Sequence, residues 1–123
     1  MWTYVQRSGA IIADSGEVIS YGYAGHGPGK NNPDDHAKNE GPLPVGFYVI
    51  GPPHDTDTHG PVVMVLTPDP TNAMYGRDGF LMHGDSVAHP GAASLGCIVA
   101  SRPARERVAA SGDTLLHVIA DPV

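Results

Sequence analysis

Strong helix formers stand together at only one place in this chain, near residues 102–110. Everywhere else glycine and proline, 16 and 12 in 123 residues, punctuate short apolar runs. Glycine supplies the positive φ angles of tight turns, and proline removes a backbone donor and stops a helix or a central strand. A chain interrupted this often cannot build a helical bundle, so a turn-rich, mainly β domain is expected. Its length suits one hydrophobic core, and residues 1–123 are read as a single domain.

The runs themselves have strand periodicity. Residues 2–7 alternate through Trp2 and Tyr4 and end at Ser8-Gly9; residues 10–14 form a short apolar run closed by Ser15-Gly16; residues 17–24 alternate again. Three such runs joined by Ser-Gly turns predict a β-meander. Residues 25–46 then form a long Gly/Pro/Asn-rich loop, of the kind that is functional or mobile in compact domains. Further strands are expected over 47–50, 61–67 and 80–82, with a polar turn at 52–60, and a closing strand over 114–120. Ser101 is placed to cap the one helix, with Pro103 in its first turn and Gly112 beyond its end.

Charge narrows the partners. Thirteen acids against seven bases give a net charge of -6, and no basic stripe is present, which argues against nucleic acid and anionic membrane surfaces. No apolar run is long enough for a membrane helix. The N-terminal residues lack a basic region followed by an apolar stretch, so a Sec-type leader is not expected and export would use another route.

The chemistry centres on the lone cysteine. Cys97 lies in Ser94-Leu95-Gly96-Cys97, directly after a glycine, where the backbone can turn tightly and offer N–H groups to a carbonyl oxygen. A thiol is mostly protonated at neutral pH and needs a base within hydrogen-bond reach. His83 fits that role locally, ending the apolar run Phe80-Leu81-Met82 and preceding Gly84. A second reading makes Cys97 a small buried hydrophobe and His83 a strand-end residue. A third makes His83, Asp85, His89 and Cys97 a zinc site, although their spacing matches no tight ligand pair. Asp85 would orient His83, bind an amine, or simply cap a turn; Arg77 is a candidate for gripping a substrate carboxylate, as is Lys30; His26, in the long loop, is the other histidine expected near a substrate groove.

His83-Gly84 followed by Ser94-Leu95-Gly96-Cys97-Ile98 resembles the signature of the YkuD-type L,D-transpeptidases, and Gly41-Pro42-Leu43-Pro44-Val45-Gly46-Phe47-Tyr48 resembles that family's Pro-x-Gly-x-Tyr/Phe segment. Leu95 and Val99 stand where the common pattern has histidine and arginine. With Gly29-Lys30-Asn31-Asn32-Pro33 and Arg77, these departures resemble a divergent branch that includes the Tlde-like type VI secretion effectors.

The resemblance implies a mixed β-sheet sandwich with one short helix near 102–110. It implies Cys97 as nucleophile, His83 as base, Ser94 orienting the histidine through its main chain, and the N–H groups of Gly96 and Cys97 as oxyanion donors, with Gly84, Asp85, Arg77 and His26 on the substrate side. It further implies peptidoglycan stem peptides as substrate, no metal or organic cofactor, an immunity protein in the producing cell, and action in the periplasm of a target bacterium. The rival readings are a Cys–His amidase or endopeptidase cutting another wall bond, and a non-catalytic wall-binding module.

Overall fold

In the computed structural model, which describes residues 1–122, the strands are β1 (Trp2–Val5), β2 (Ala10–Ile12), β3 (Val18–Tyr21), β4 (Gly46–Ile50), β5 (His54–Thr56), β6 (Gly60–Pro68), β7 (Leu81–His83), β8 (Ile98–Val99) and β9 (Leu115–Ile119). One helix, α1 (Arg102–Ala110), is the only α-helix among the described residues. The mainly β architecture with one short helix is as the sequence predicts. Ser101 caps α1 by accepting from the Ala104 N–H at 3.3 Å, with Pro103 in the first turn.

The strands form one mixed sheet in the order β3-β2-β1-β9-β4-β6-β7-β8, with β5 hairpinned onto β6. The expected meander is the β1-β2-β3 edge. Its far side joins β9 in parallel, Trp2 opposite Leu116 and Val5 opposite Ile119, so the two ends of the chain meet in the middle of the sheet. The sheet then curls until Tyr23, just beyond β3, bridges antiparallel to Val99 in β8 at the opposite edge. The Tyr23 and Val99 backbones exchange two hydrogen bonds there, of 3.0 and 2.8 Å. That closure joins both edges, which would otherwise present unpaired backbone groups. The polar turn expected at 52–60 is corrected: it contains β5, whose polar residues His54-Asp55-Thr56 carry no apolar alternation to reveal it.

Inside the curl lie Tyr4, Tyr48, Met64, Leu66, Met82, Ile98, Leu116 and Val118, and α1 lays Ala104 and Val108 against them. Alternation decides which strand residues face inward. Leu116 is 1% exposed and its neighbour Leu115 is 52% exposed. The two leucines therefore make a test of register. Leu116→Ala is expected to cost about 3 kcal/mol through lost burial and the cavity left behind. Leu115→Ala should change stability by less than about 0.5 kcal/mol. Urea unfolding of both variants measures the difference, and equal losses would refute the register.

Candidate active site

β7 and β8 run parallel, with Met82 opposite Ile98 and His83 opposite Val99. Met82 and Ile98 point into the core. Alternation therefore puts His83 and Cys97 together on the other face, with Cys97 one step before Ile98 and His83 near the far end of the pair. Sγ of Cys97 accepts from the Leu81 N–H at 3.3 Å, which fixes the thiol beside the start of β7. Among the described residues no hydrogen bond joins that thiol to His83, although the two share a face.

His83 is 3% exposed, and its Nδ1 lies 2.8 Å from the Gly84 carbonyl. A carbonyl only accepts, so Nδ1 carries the proton and Nε2 keeps its lone pair. Burial above all holds this imidazole below its ordinary value; the charges of His59 and Arg105 act in the same direction, while the Gly84 carbonyl and Asp85 oppose it. The His59 ring packs against it with centroids 4.7 Å apart. For Cys97, burial pushes the thiol up, opposed by the Leu81 N–H, its own N–H and the nearby charge of Arg77. The resting pair is thus a neutral thiol and a neutral imidazole with its acceptor nitrogen unprotonated.

Ser94 organises the turn before Cys97 through its side chain. Its buried hydroxyl accepts from Gly25 N–H at 2.9 Å and Gly96 N–H at 3.0 Å, and donates to the Cys97 carbonyl at 2.7 Å. Two expectations are corrected here. The carbonyl that orients His83 belongs to Gly84, whereas the Ser94 carbonyl lies 2.9 Å from Nδ1 of His26. The Gly96 N–H, expected as an oxyanion donor, points at the Ser94 hydroxyl. His26, expected near a substrate groove, meets the Cys97 segment through the backbone of Ser94.

Arg77 is also corrected. Its guanidinium is buried and donates to the carbonyls of His36 (2.6 Å), Pro42 (2.7 Å), Gly41 (3.0 Å) and Leu95 (3.1 Å), so it braces the turn from beneath and is not presented to a substrate carboxylate. Gly96, at φ +122°, has no room for a side chain because that guanidinium and Phe80 fill the space. Asp85 caps its own loop, accepting from Tyr23 hydroxyl (2.6 Å) and from the N–H groups of Ser86 (2.8 Å) and Gly91 (3.0 Å). These bonds hold its carboxyl below the usual range against the effect of burial. Lys30 sits with its ammonium 4.5 Å from the centre of the Tyr23 ring. No three His, Cys, Asp or Glu side chains converge as metal ligands among the described residues, so the zinc reading has no ligand set there.

Beyond His83 a cavity of about 790 Å³ opens between the β5–β6 hairpin, the end of β7 and the start of α1. His59, His83, Gly84, Asp85, Arg102 and Arg105 line it. Sequence reasoning missed His59 and Arg105. The available signal for Arg105 was its place beside Ala104 and ahead of Val108 on the buried stripe of α1, where a charge is unusual.

A mainly β domain that sets a lone thiol and a buried imidazole on neighbouring parallel strands, with the imidazole in the wall of a cavity, defines a candidate cysteine–histidine site. The family model described as the Tlde1 domain matches residues 19–118, and the chain belongs to that family, a family of type VI secretion effectors. No curated protein and no solved structure matches the chain. No helix among the described residues is long and apolar enough to cross a membrane.

The raised thiol has a direct consequence. Alkylation of Cys97 by iodoacetamide should follow a thiolate titration centred above the ordinary cysteine value of about 8.5. The rate plotted from pH 6 to 10 checks it, and a midpoint well below 8 would refute a neutral resting thiol.

Proposed function

We propose that this chain is a cysteine-dependent peptidoglycan-modifying enzyme, an L,D-carboxypeptidase or L,D-transpeptidase acting on tetrapeptide stems. The observation that carries the reading is the pairing of a neutral thiol with a buried imidazole whose Nε2 is unprotonated, on one face of β7 and β8, in a Tlde1-domain chain. Thiol nucleophiles activated by histidine carry out acyl transfer in two steps. Nε2 of His83 removes the Cys97 proton as Sγ attacks the carbonyl at the L-centre of the diaminopimelate–D-alanine bond. The tetrahedral adduct collapses, the C–N bond breaks, and His83 returns the proton to the leaving amine. The thioester is then opened by water, giving a tripeptide, or by another amine, giving exchange. This chemistry uses no metal or organic cofactor.

The apo separation of thiol and imidazole is compatible with this, since catalytic hydrogen bonds often tighten only in the substrate complex. Membership in an effector family supports delivery by type VI secretion into the periplasm of a target bacterium, with an immunity protein protecting the producer. A Cys–His amidase would release intact stem peptides instead of D-alanine, and a wall-binding module would leave muropeptides unchanged.

Disaccharide tetrapeptides incubated with the protein should lose D-alanine, or exchange it for an added D-amino acid, as read by mass spectrometry. Cys97→Ala should abolish turnover, and His83→Gln should lower kcat by about 10²- to 10⁴-fold, the usual contribution of a general acid–base. Unchanged muropeptides would refute the enzyme reading. The pH profile of kcat/KM follows from the two shifts. A base held low stays unprotonated into mild acid, and a thiol held high stays protonated into mild base. The two limbs should therefore lie outside the ordinary values of about 6.5 and 8.5, giving a plateau wider than that interval. A bell narrower than that would show that the active form is a pre-formed ion pair.

A further inference from the structure

Arg105 stands apart from the other arginines. Arg7 pairs with Asp121, Arg102 with Glu106 and Arg107 with Glu17, while Arg77 is saturated by carbonyls. Arg105 is only 5% exposed, yet among the described residues it has no carboxylate partner. One Nη donates to the Pro61 carbonyl at 3.3 Å, and the buried Nε has no partner. A buried guanidinium without a counter-charge is expensive, and such groups are kept where something arrives to pair with them.

Its place in the fold says what that would be. The guanidinium lies in the wall of the cavity that also holds His83 and His59. It presses on the backbone just after His83: a Cβ built on Gly84 would sit 2.7 Å from one Nη and 3.1 Å from the other. The same Gly84 presents the carbonyl that sets the His83 tautomer. The first turn of α1 and Arg102 line the same cavity, adding the positive end of a helix. Asp85, the acidic residue on that wall, already accepts from Tyr23, Ser86 and Gly91. The vacant donors therefore favour a small planar anion, and a guanidinium fork fits a carboxylate.

We propose that Arg105 binds the α-carboxylate of the D-amino acid that leaves or enters at His83. This rests on the reading given under Proposed function. In a D-amino acid the nitrogen that exchanges its proton with His83 and the carboxylate carbon are bonded to the same Cα. A group that holds the carboxylate one residue from His83 thereby holds the nitrogen near the imidazole. Arg105 is a recognition residue for the amino-acid side of the bond, and the selectivity for a free carboxylate originates there.

The test compares D-alanine with D-alaninamide, which lacks the carboxylate charge. In the Cys97→Ala protein, NMR titration should show D-alanine binding at least about tenfold more tightly than the amide, the scale of a charge-assisted pair. Arg105→Gln should erase the preference and Arg105→Lys should retain part of it. In the active protein the same preference should appear among acceptors in exchange. Equal binding of acid and amide overturns the proposal without any variant, as does a preference that survives in folded Arg105→Gln protein. If tetrapeptides are trimmed but no carboxylate preference exists, the Arg105 proposal alone fails. If the Arg105-dependent preference is found and tetrapeptides remain intact, the carboxylate site stands and the wall-enzyme reading falls.

Discussion

Four carbonyl oxygens from three stretches of chain converge on the Arg77 guanidinium beneath the turn that carries Cys97. The reason lies in the segment Gly41-Pro42-Leu43-Pro44, which is buried although two of its four residues have no N–H and cannot join a sheet ladder. Its carbonyls still need donors. Arg77 supplies Gly41 and Pro42, Gln6 supplies Leu43 at 2.9 Å, and the Tyr48 hydroxyl supplies Pro44 at 2.7 Å. In return the Leu43 N–H donates to Gly96 at 3.0 Å. Three side chains from separate parts of the chain thus turn a loop that no strand could hold into a rigid floor for Cys97. The same guanidinium charge favours the thiolate of Cys97 as it forms. Binding the floor and easing ionisation are one interaction seen from two sides.

What the sequence made legible was local. The meander, the capped helix and the Gly96-Cys97 turn each depend on residues within a few positions of one another, and all were readable. The parallel pairing of β1 with β9 joins residues more than a hundred positions apart and follows from the curl of the whole sheet. β5 is a strand through its partner, not its composition. The two arginines make the same point about chemistry. Arg77, flanked by glycines in an apparent loop, looked available, yet its donors are saturated. Arg105, inside a helix, drew no functional expectation from the sequence, yet among the described residues it is buried without a carboxylate partner. Residue type and spacing reveal that a donor exists; only packing determines whether it is already used. Ser94 is an intermediate case: its position in the motif was readable, but its hydroxyl rather than its main chain organises the turn.

The offset of thiol and imidazole by two residues along the paired strands has a physical logic of its own. An ion pair at rest would stabilise the ground state as well as the reacting state, and stabilising both equally accelerates nothing. His83 is buried and Cys97 half-buried, and burial disfavours charge on each, so in the proposed mechanism charge appears only as Sγ attacks and the proton moves. The groups that favour the charged thiol, the Leu81 N–H and Arg77, are fixed beforehand and need not reorganise. On the imidazole side His59 and Arg105 disfavour the positive charge, so in the proposed mechanism a proton gained from Cys97 would be readily given up to a leaving amine.

That arrangement bears on the fate of an acyl-enzyme. In the proposed reaction, after the first amino acid leaves, the cavity would still hold His83 with its acceptor nitrogen and Arg105 with its unpaired donors. In the proposed mechanism water and an incoming amine would compete for the same thioester, with His83 as the base for either. An amino acid held by its carboxylate is presented at high effective concentration with its nitrogen near the imidazole, whereas water has no such grip. On the proposed reading, hydrolysis against exchange would become a question of occupancy of one cavity, governed by the local supply of free D-amino acid, with no second active site and no change of fold. The buried charge on α1 would thus act as the selector between two outcomes of a single chemical intermediate.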